Sequence, residues 1–298
     1  MVMNNDILAT ILIGLSALVY APSIAISKKL FSVIDPITYV FIISVVGGLL
    51  FAIFYLLKFR KFPKFSGGEI KYVIIIMLIA GIVRLSVFYA LNYTFVKNMS
   101  FISPVSSNIF VVLFSWLILK EKINKKVILG GFIGLLGSIL IATKGMISIP
   151  SWGDFLIMFA MMLESIRVIS IKKLMDKKRN AYETGFISIF GAGLTILIFS
   201  VLFLPIQSAH LNTNSVLLLT YVIVGSIIIG KLLYLFGLEK LKAYHTMLLY
   251  TIFSPLITSF FGVLILGEVF MSYDLIGAGL SIAGLTIMNW KGSNKMNN

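Results

Sequence analysis

Long apolar runs separated by brief polar stretches make up most of the chain. Crossing the hydrocarbon core of a bilayer takes about 20 apolar residues in helical form. Ten such runs can be drawn, at residues 7–26, 37–57, 72–93, 99–119, 127–143, 155–174, 184–204, 216–238, 246–266 and 275–290. They are continuous and lack the alternation of a barrel strand, which excludes a closed β-barrel. Asp35-Pro36 opens the second run as an N-cap followed by proline at the first helical position, where a missing N–H costs nothing. The pattern predicts an all-α polytopic membrane protein of ten transmembrane helices, with no loop long enough to hold a soluble domain.

The pattern also repeats. The stretch from Ser106 to Gly137 aligns without a gap on Phe253 to Gly284 at an offset of 147 residues. That offset puts Glu121 on Glu268, Leu117-Ile118-Leu119 on Leu264-Ile265-Leu266, Gly130 on Gly277 and Gly137 on Gly284. Carried upstream, it puts Arg84 on Lys231, each a lone basic residue near the middle of an apolar run. The chain therefore reads as two five-helix repeats, residues 1–147 and 148–298. An odd number of spans inserts the second repeat upside down relative to the first. Inverted repeats are the architecture of alternating-access carriers, whose site lies near the midplane.

Composition agrees with the pattern. Hydrophobic residues make up 59% of the 298 and charged residues only 12%, with a mean hydropathy of +1.04, which leaves too little polar surface for a soluble globule. The net charge of +14 lies in short loops rather than on one face of a soluble domain, so it marks topology and not nucleic-acid binding. With the N-terminus inside, 18 loop and tail Lys and Arg fall on the cytoplasmic side and four, Lys28, Lys29, Lys97 and Lys144, on the other. Three more, Arg84, Arg167 and Lys231, lie inside spans. Both termini are expected in the cytoplasm. No Lys or Arg precedes Lys28, so the first run is expected to stay as a membrane helix rather than leave as a signal peptide. The chain has no cysteine, which removes disulfides and thiolate chemistry, and His210 and His245 are too isolated to suggest a metal site.

Small residues at helical spacing, Gly130, Gly134 and Gly137 in the fifth run and Gly277, Ser281 and Gly284 in the tenth, read as packing seams. A proline-bearing span ending in Leu-Gly-Glu, then a glycine-rich span, the pair occurring twice, resembles the EamA branch of the drug/metabolite transporter superfamily. Ser254 to Glu268, SPLITSFFGVLILGE, is a close match, and Ala90 to Phe95, ALNYTF, looks like the end of that family's third span. The resemblance implies ten helices around a central cavity lined by spans one, three, four, six, eight and nine, with five and ten to the side. It implies no particular cargo. The first repeat departs from the pattern: Asn108 occupies the position of Pro255, and Pro104 sits one turn earlier.

Arg84, Glu164, Arg167 and Lys231 are the ionisable residues deepest in apolar runs, and each must face the bundle interior, a partner or water. Glu164 and Arg167, three apart on one helix, can form a local ion pair; Glu164 is also the one carboxylate deep enough to carry a coupling proton. Arg84 and Lys231 have no carboxylate in their own spans. An anionic cargo group, a carboxylate or phosphate, accounts for two such cations facing one cavity; snorkelling of Lys231 is the alternative. Glu121 and Glu268, at span ends, read as capping or structural groups. Ser100, Ser103 and Ser107, like Thr251, Ser254 and Thr258, share one helix side and are either cavity lining or back-bonded to their own helices. Tyr20, Phe88, Tyr89, Trp116, Tyr234 and Tyr250 are candidate aromatic walls. Arg84, Lys231, Tyr89, Asn108, Ser107 and Ser254 form the expected substrate site.

The reading is a secondary transporter for a small anionic or zwitterionic metabolite, similar to an amino acid or organic acid, acting as a monomer or homodimer in the cytoplasmic membrane. No nucleotide-binding loop is visible, and no cofactor or metal is expected. A channel, a lipid scramblase and a scaffold without transport are the alternatives; an intramembrane enzyme would need a nucleophile-base set or clustered metal ligands, which the chain lacks.

Overall fold

The computed structural model of the chain describes residues 5–119, 125–143, 150–203, 206–209, 211–241 and 243–289. Every regular element among them is helical. The helices are α1 (Asn5–Leu30), α2 (Pro36–Phe59), α3 (Gly67–Ala90), α4 (Val96–Leu119), α5 (Lys125–Ala142), α6 (Trp152–Asp176) and α7 (Ala181–Leu202). They continue with α8 (Thr213–Lys240), α9 (Ala243–Leu266) and α10 (Ser272–Asn289). Five of them, α1, α2, α3, α7 and α8, are long and apolar enough to cross a membrane on length and composition. Large aliphatic side chains point out of the bundle as well as into it: Ile53 is 53% exposed, Leu57 76% and Val201 77%. A protein solvated by water would bury such a surface, whereas lipid is its natural solvent.

Helix starts follow local chemistry. The Asp35 carboxylate accepts the amides of Ile37 and Thr38 at 3.0 and 3.1 Å, and Pro36 opens α2 as the sequence predicts. Ser151 with Asp154 and Asn180 with Glu183 form reciprocal capping boxes at α6 and α7. One helix differs from expectation. The middle of α8, Tyr221–Gly230, is π-helical, and a hydrogen bond from the Ser16 hydroxyl of α1 reaches the Gly230 carbonyl at 2.7 Å. Such widened turns are rare and concentrate at functional sites. Lys231 follows directly.

Helices pair closely where glycines remove side chains. Along α5 and α10, a Cβ at Gly137 would stand 2.6 Å from the Ser281 amide nitrogen, and one at Gly284 2.5 Å from the Gly130 carbonyl. The small-residue stripes are thus a packing seam. A Cβ at Gly193 of α7 would meet the Ser44 carbonyl of α2 at 2.6 Å. Around these contacts α1 lies against α8 and α9, α3 against α6 and α7, and α4 against α6 and α9. The core between them holds Tyr39, Ile43, Phe51, Ile157 and Ile189, all essentially inaccessible.

Candidate functional site

A cavity of about 240 Å³ opens among α1, α3, α4, α6, α7, α8 and α9. Arg84 enters from α3, Glu164 and Arg167 from α6, and Lys231 from α8. Three cations thus share one cavity with one carboxylate, and that carboxylate is taken. Arg167 grips Glu164 through Nε at 2.7 Å and through Nη2, while its Nη1 donates to Ser188 of α7. The fork matches a carboxylate bidentately, which a lysine could not do.

The other two cations are held differently. Arg84 donates from Nη1 to the fully buried Ser44 hydroxyl at 3.1 Å, and no described carboxylate lies within ion-pair distance. Among the described residues, Lys231 has no hydrogen bond and no ion pair; its ammonium sits 4.9 Å from the centre of the Tyr234 ring. A ring face offsets part of the cost of a desolvated cation but leaves its three N–H donors unused.

Hydroxyls and aromatic rings complete the wall. Ser23 and Ser226 join across α1 and α8 at 3.0 Å, Ser107 and Ser254 line the cavity, and the buried Ser103 hydroxyl finds no partner among the described residues. Tyr20, Tyr250 and Tyr234 run in sequence, with edge-on ring contacts at 6.4 and 5.5 Å.

Of the expected substrate residues, Arg84, Lys231, Ser107 and Ser254 meet in this cavity. Tyr89 and Asn108 do not. Tyr89 is 40% exposed and pairs with Tyr93, hydroxyl to hydroxyl at 3.1 Å, because it lies one residue past Phe88 and so on a different side of α3. Asn108 is buried and donates from Nδ2 to the Pro104 carbonyl at 2.8 Å, one turn back in its own proline-bearing helix. Trp116 is also outside the lining. Ser16, Ser23, Ser188 and Ser226, which sequence reasoning passed over, belong to the cavity, and Ser44 holds Arg84 from behind it. In α1 the signal was available: Ser16, Tyr20, Ser23 and Ser27 form a polar stripe at i, i+4, i+7 and i+11 of an apolar helix.

A second polar cluster joins the ends of α4, α6, α9 and α10. Helix α9 stops at Leu266, Gly267 turns the chain with a left-handed φ of 68°, and the Glu268 carboxylate accepts the amides of Val96 and Lys97 at 2.9 and 3.0 Å. The Leu-Gly-Glu motif is therefore a cap that one half of the chain supplies to a helix of the other. Beside it, Lys97 pairs with the inaccessible Asp274 at 2.6 Å, and Thr94 donates to Asp154 at 2.5 Å. Lys28 reaches Glu268 at 4.0 Å. The corresponding Glu121, like His210, lies outside the described residues.

Helices that turn aliphatic side chains outward and enclose a charged, hydroxyl-lined chamber define a polytopic membrane protein with an internal polar cavity. Comparison with known proteins makes the class specific. The model of the EamA-like transporter family matches residues 7–143 and 151–290, and the chain belongs to that family. It is accordingly a multi-pass transporter of small molecules across a lipid bilayer, not an enzyme. A solved structure described only as "Crystal structure of protein" aligns with a TM-score of 0.67 over 94% of this chain and 96% of its own. At 16% identity it shares the fold. No curated protein matches the chain.

Proposed function

We propose that the chain is a secondary carrier that moves a small metabolite bearing a carboxylate or phosphate, of the amino-acid or organic-acid kind, by alternating access around the cavity of Arg84 and Lys231. The observation that carries this reading is the pair itself: two cations, equivalent under the 147-residue offset, face one chamber whose single carboxylate is engaged by Arg167. A desolvated cation is costly unless an opposite charge or water reaches it. An anionic cargo supplies the charge when bound, and water does so when the cavity is empty.

The carrier mechanism needs two halves that exchange roles. Residues 1–147 and 148–298 serve as those halves, ten spans as two inverted five-helix repeats with both termini in the cytoplasm. Helix boundaries support the repeat: α4 (Val96–Leu119) and α9 (Ala243–Leu266) are offset by 147 at both ends, and so are α5 (Lys125–Ala142) and α10 (Ser272–Asn289). Helix pairing supports it too. Exchanging each helix with its equivalent turns the α1–α9 contact into α6–α4 and the α1–α8 contact into α6–α3, all of which occur. In this topology the Glu268 and Lys97–Asp274 cluster, at the start of α4, lies on the outer face.

The test is a ligand-stabilisation screen on purified protein with amino acids, organic acids, sugar phosphates and nucleotide sugars, followed by counterflow in vesicles. A cargo that binds the folded state raises the melting temperature. Stabilisation by anions or zwitterions, with counterflow of the same compound, is the expected result. Stabilisation confined to neutral or cationic compounds would overturn the reading.

A further inference from the structure

We infer that the junction of α3 and α6 is a binding site for the phosphate of an anionic phospholipid. Three lysines converge there on one aromatic ring. The ammonium groups of Lys71, Lys173 and Lys177 lie 5.1, 5.7 and 5.5 Å from the centre of the Tyr72 ring. Like charges gathered around one ring repel, and a structural cluster would place a carboxylate among them. Both nearby carboxylates are engaged elsewhere. Glu69 is held by Arg179 through two hydrogen bonds of 2.7 and 2.8 Å, and Asp176 pairs with Lys172 at 3.8 Å. Among the described residues the three lysines form no ion pair, and Lys177 spends one donor on the Gly68 carbonyl at 3.2 Å.

Position selects the ligand. The cluster sits at the second turn of α3 and at the last turn and C-cap of α6, where apolar helices meet the polar loops. Tyrosine and lysine at that level belong to the headgroup region, with the ring at the boundary and the ammonium groups among phosphates. A basic pocket between membrane helices takes an anionic headgroup. The phosphate diester offers acceptors for several ammonium groups, and its acyl chains lie along the exposed apolar side chains Ile70 and Ile74 of α3. This site is separate from the transport cavity, whose lining contains none of these residues.

The experiment measures lipid retained by the full-length protein after purification from vesicles of phosphatidylglycerol and phosphatidylcholine in equal amounts, read by native mass spectrometry. Wild type should keep phosphatidylglycerol in preference. K71Q/K173Q/K177Q should lose that preference, with single K71Q reducing it about fivefold, the effect of one ammonium at a membrane surface. K58Q/K61Q/K64Q, which removes the same charge from the end of α2 and the loop that follows it, should leave it intact. Equal loss in both triple variants would mean general charge attraction and overturn the site, as would no preference in wild type. Inorganic phosphate that stabilises the protein through the same lysines, without lipid retention, would assign the cluster to a soluble anion and also overturn it. K71Q is a substitution at an exposed position, so the single variant decides if the triple does not fold.

Discussion

Arg167 and Glu164, one helical turn apart on α6, lock together through two parallel hydrogen bonds inside the cavity, and Arg167 extends a third to Ser188 of α7. The pair neutralises itself and leaves Arg84 and Lys231 as the uncompensated charge of the chamber. Neutralising one partner strands the other, a loss on the order of 3–5 kcal/mol for a buried pair. E164Q and R167M should therefore each melt well below wild type. The double variant should recover most of the difference in thermal unfolding of the detergent-purified protein. A double variant less stable than either single one would refute the pairing.

The cap across the halves makes a second prediction. E268A removes the acceptor for the Val96 and Lys97 amides and the partner of Lys28. Buried donors left unmade cost roughly 1–3 kcal/mol. A lower melting temperature is expected, with E268Q between E268A and wild type because its carbonyl still accepts. Full stability of E268A would show that water caps α4 equally well.

Close packing of α5 on α10 predicts a contrast between two glycines of one helix. A Cβ at Gly284 would stand 2.5 Å from the Gly130 carbonyl, while one at Gly279 meets nothing within 4 Å. G284A should destabilise by about 1–3 kcal/mol through overpacking, and G279A should be neutral or slightly stabilising, since alanine is the better helix former. Neither glycine lines the cavity, so ligand affinity should be unchanged in both. Equal melting temperatures for the two variants would contradict a tight seam.

Sequence reasoning reached the helices because an apolar run of bilayer length has one economical structure, and it suggested a repeat, which remains a proposal, because Glu121 and Glu268 stand out against aliphatic neighbours. Arg84 and Lys231 were legible for the same reason, as lone charges where lipid forbids them. Faces were harder. Phe88 and Tyr89 are equally aromatic, and only the packing of α3 decides that Phe88 turns inward. The π-helical middle of α8 left no clear mark in an apolar run, and the Ser16 bond to the Gly230 carbonyl at its end comes from a distant helix. Ser44 could not be assigned to Arg84 because that contact spans α2 and α3, which each pack on a third helix, α7, through Gly193 against Ser44 and Gly191 against Met77.

Topology is testable on a chain without native cysteine. Lys61 and Ser208 are both exposed and lie in loops at opposite ends of the bundle. A cysteine at Ser208 should react with an impermeant thiol reagent on intact cells, and one at Lys61 only after lysis. The reverse pattern would invert the proposed orientation.

The central claim, that Arg84 and Lys231 receive an anionic cargo, is tested most directly by measuring ligand affinity and thermal stability together on R84Q and K231M, with the compound that stabilises wild type. Each cation that hydrogen-bonds a charged group contributes about 1.5–3 kcal/mol, so each variant should bind about ten- to hundredfold more weakly. Both should melt at or above the wild-type temperature, because a desolvated charge has been removed. R84K should recover only part of the affinity if the guanidinium holds a carboxylate with both nitrogens. Unchanged affinity in both neutral variants would contradict the account.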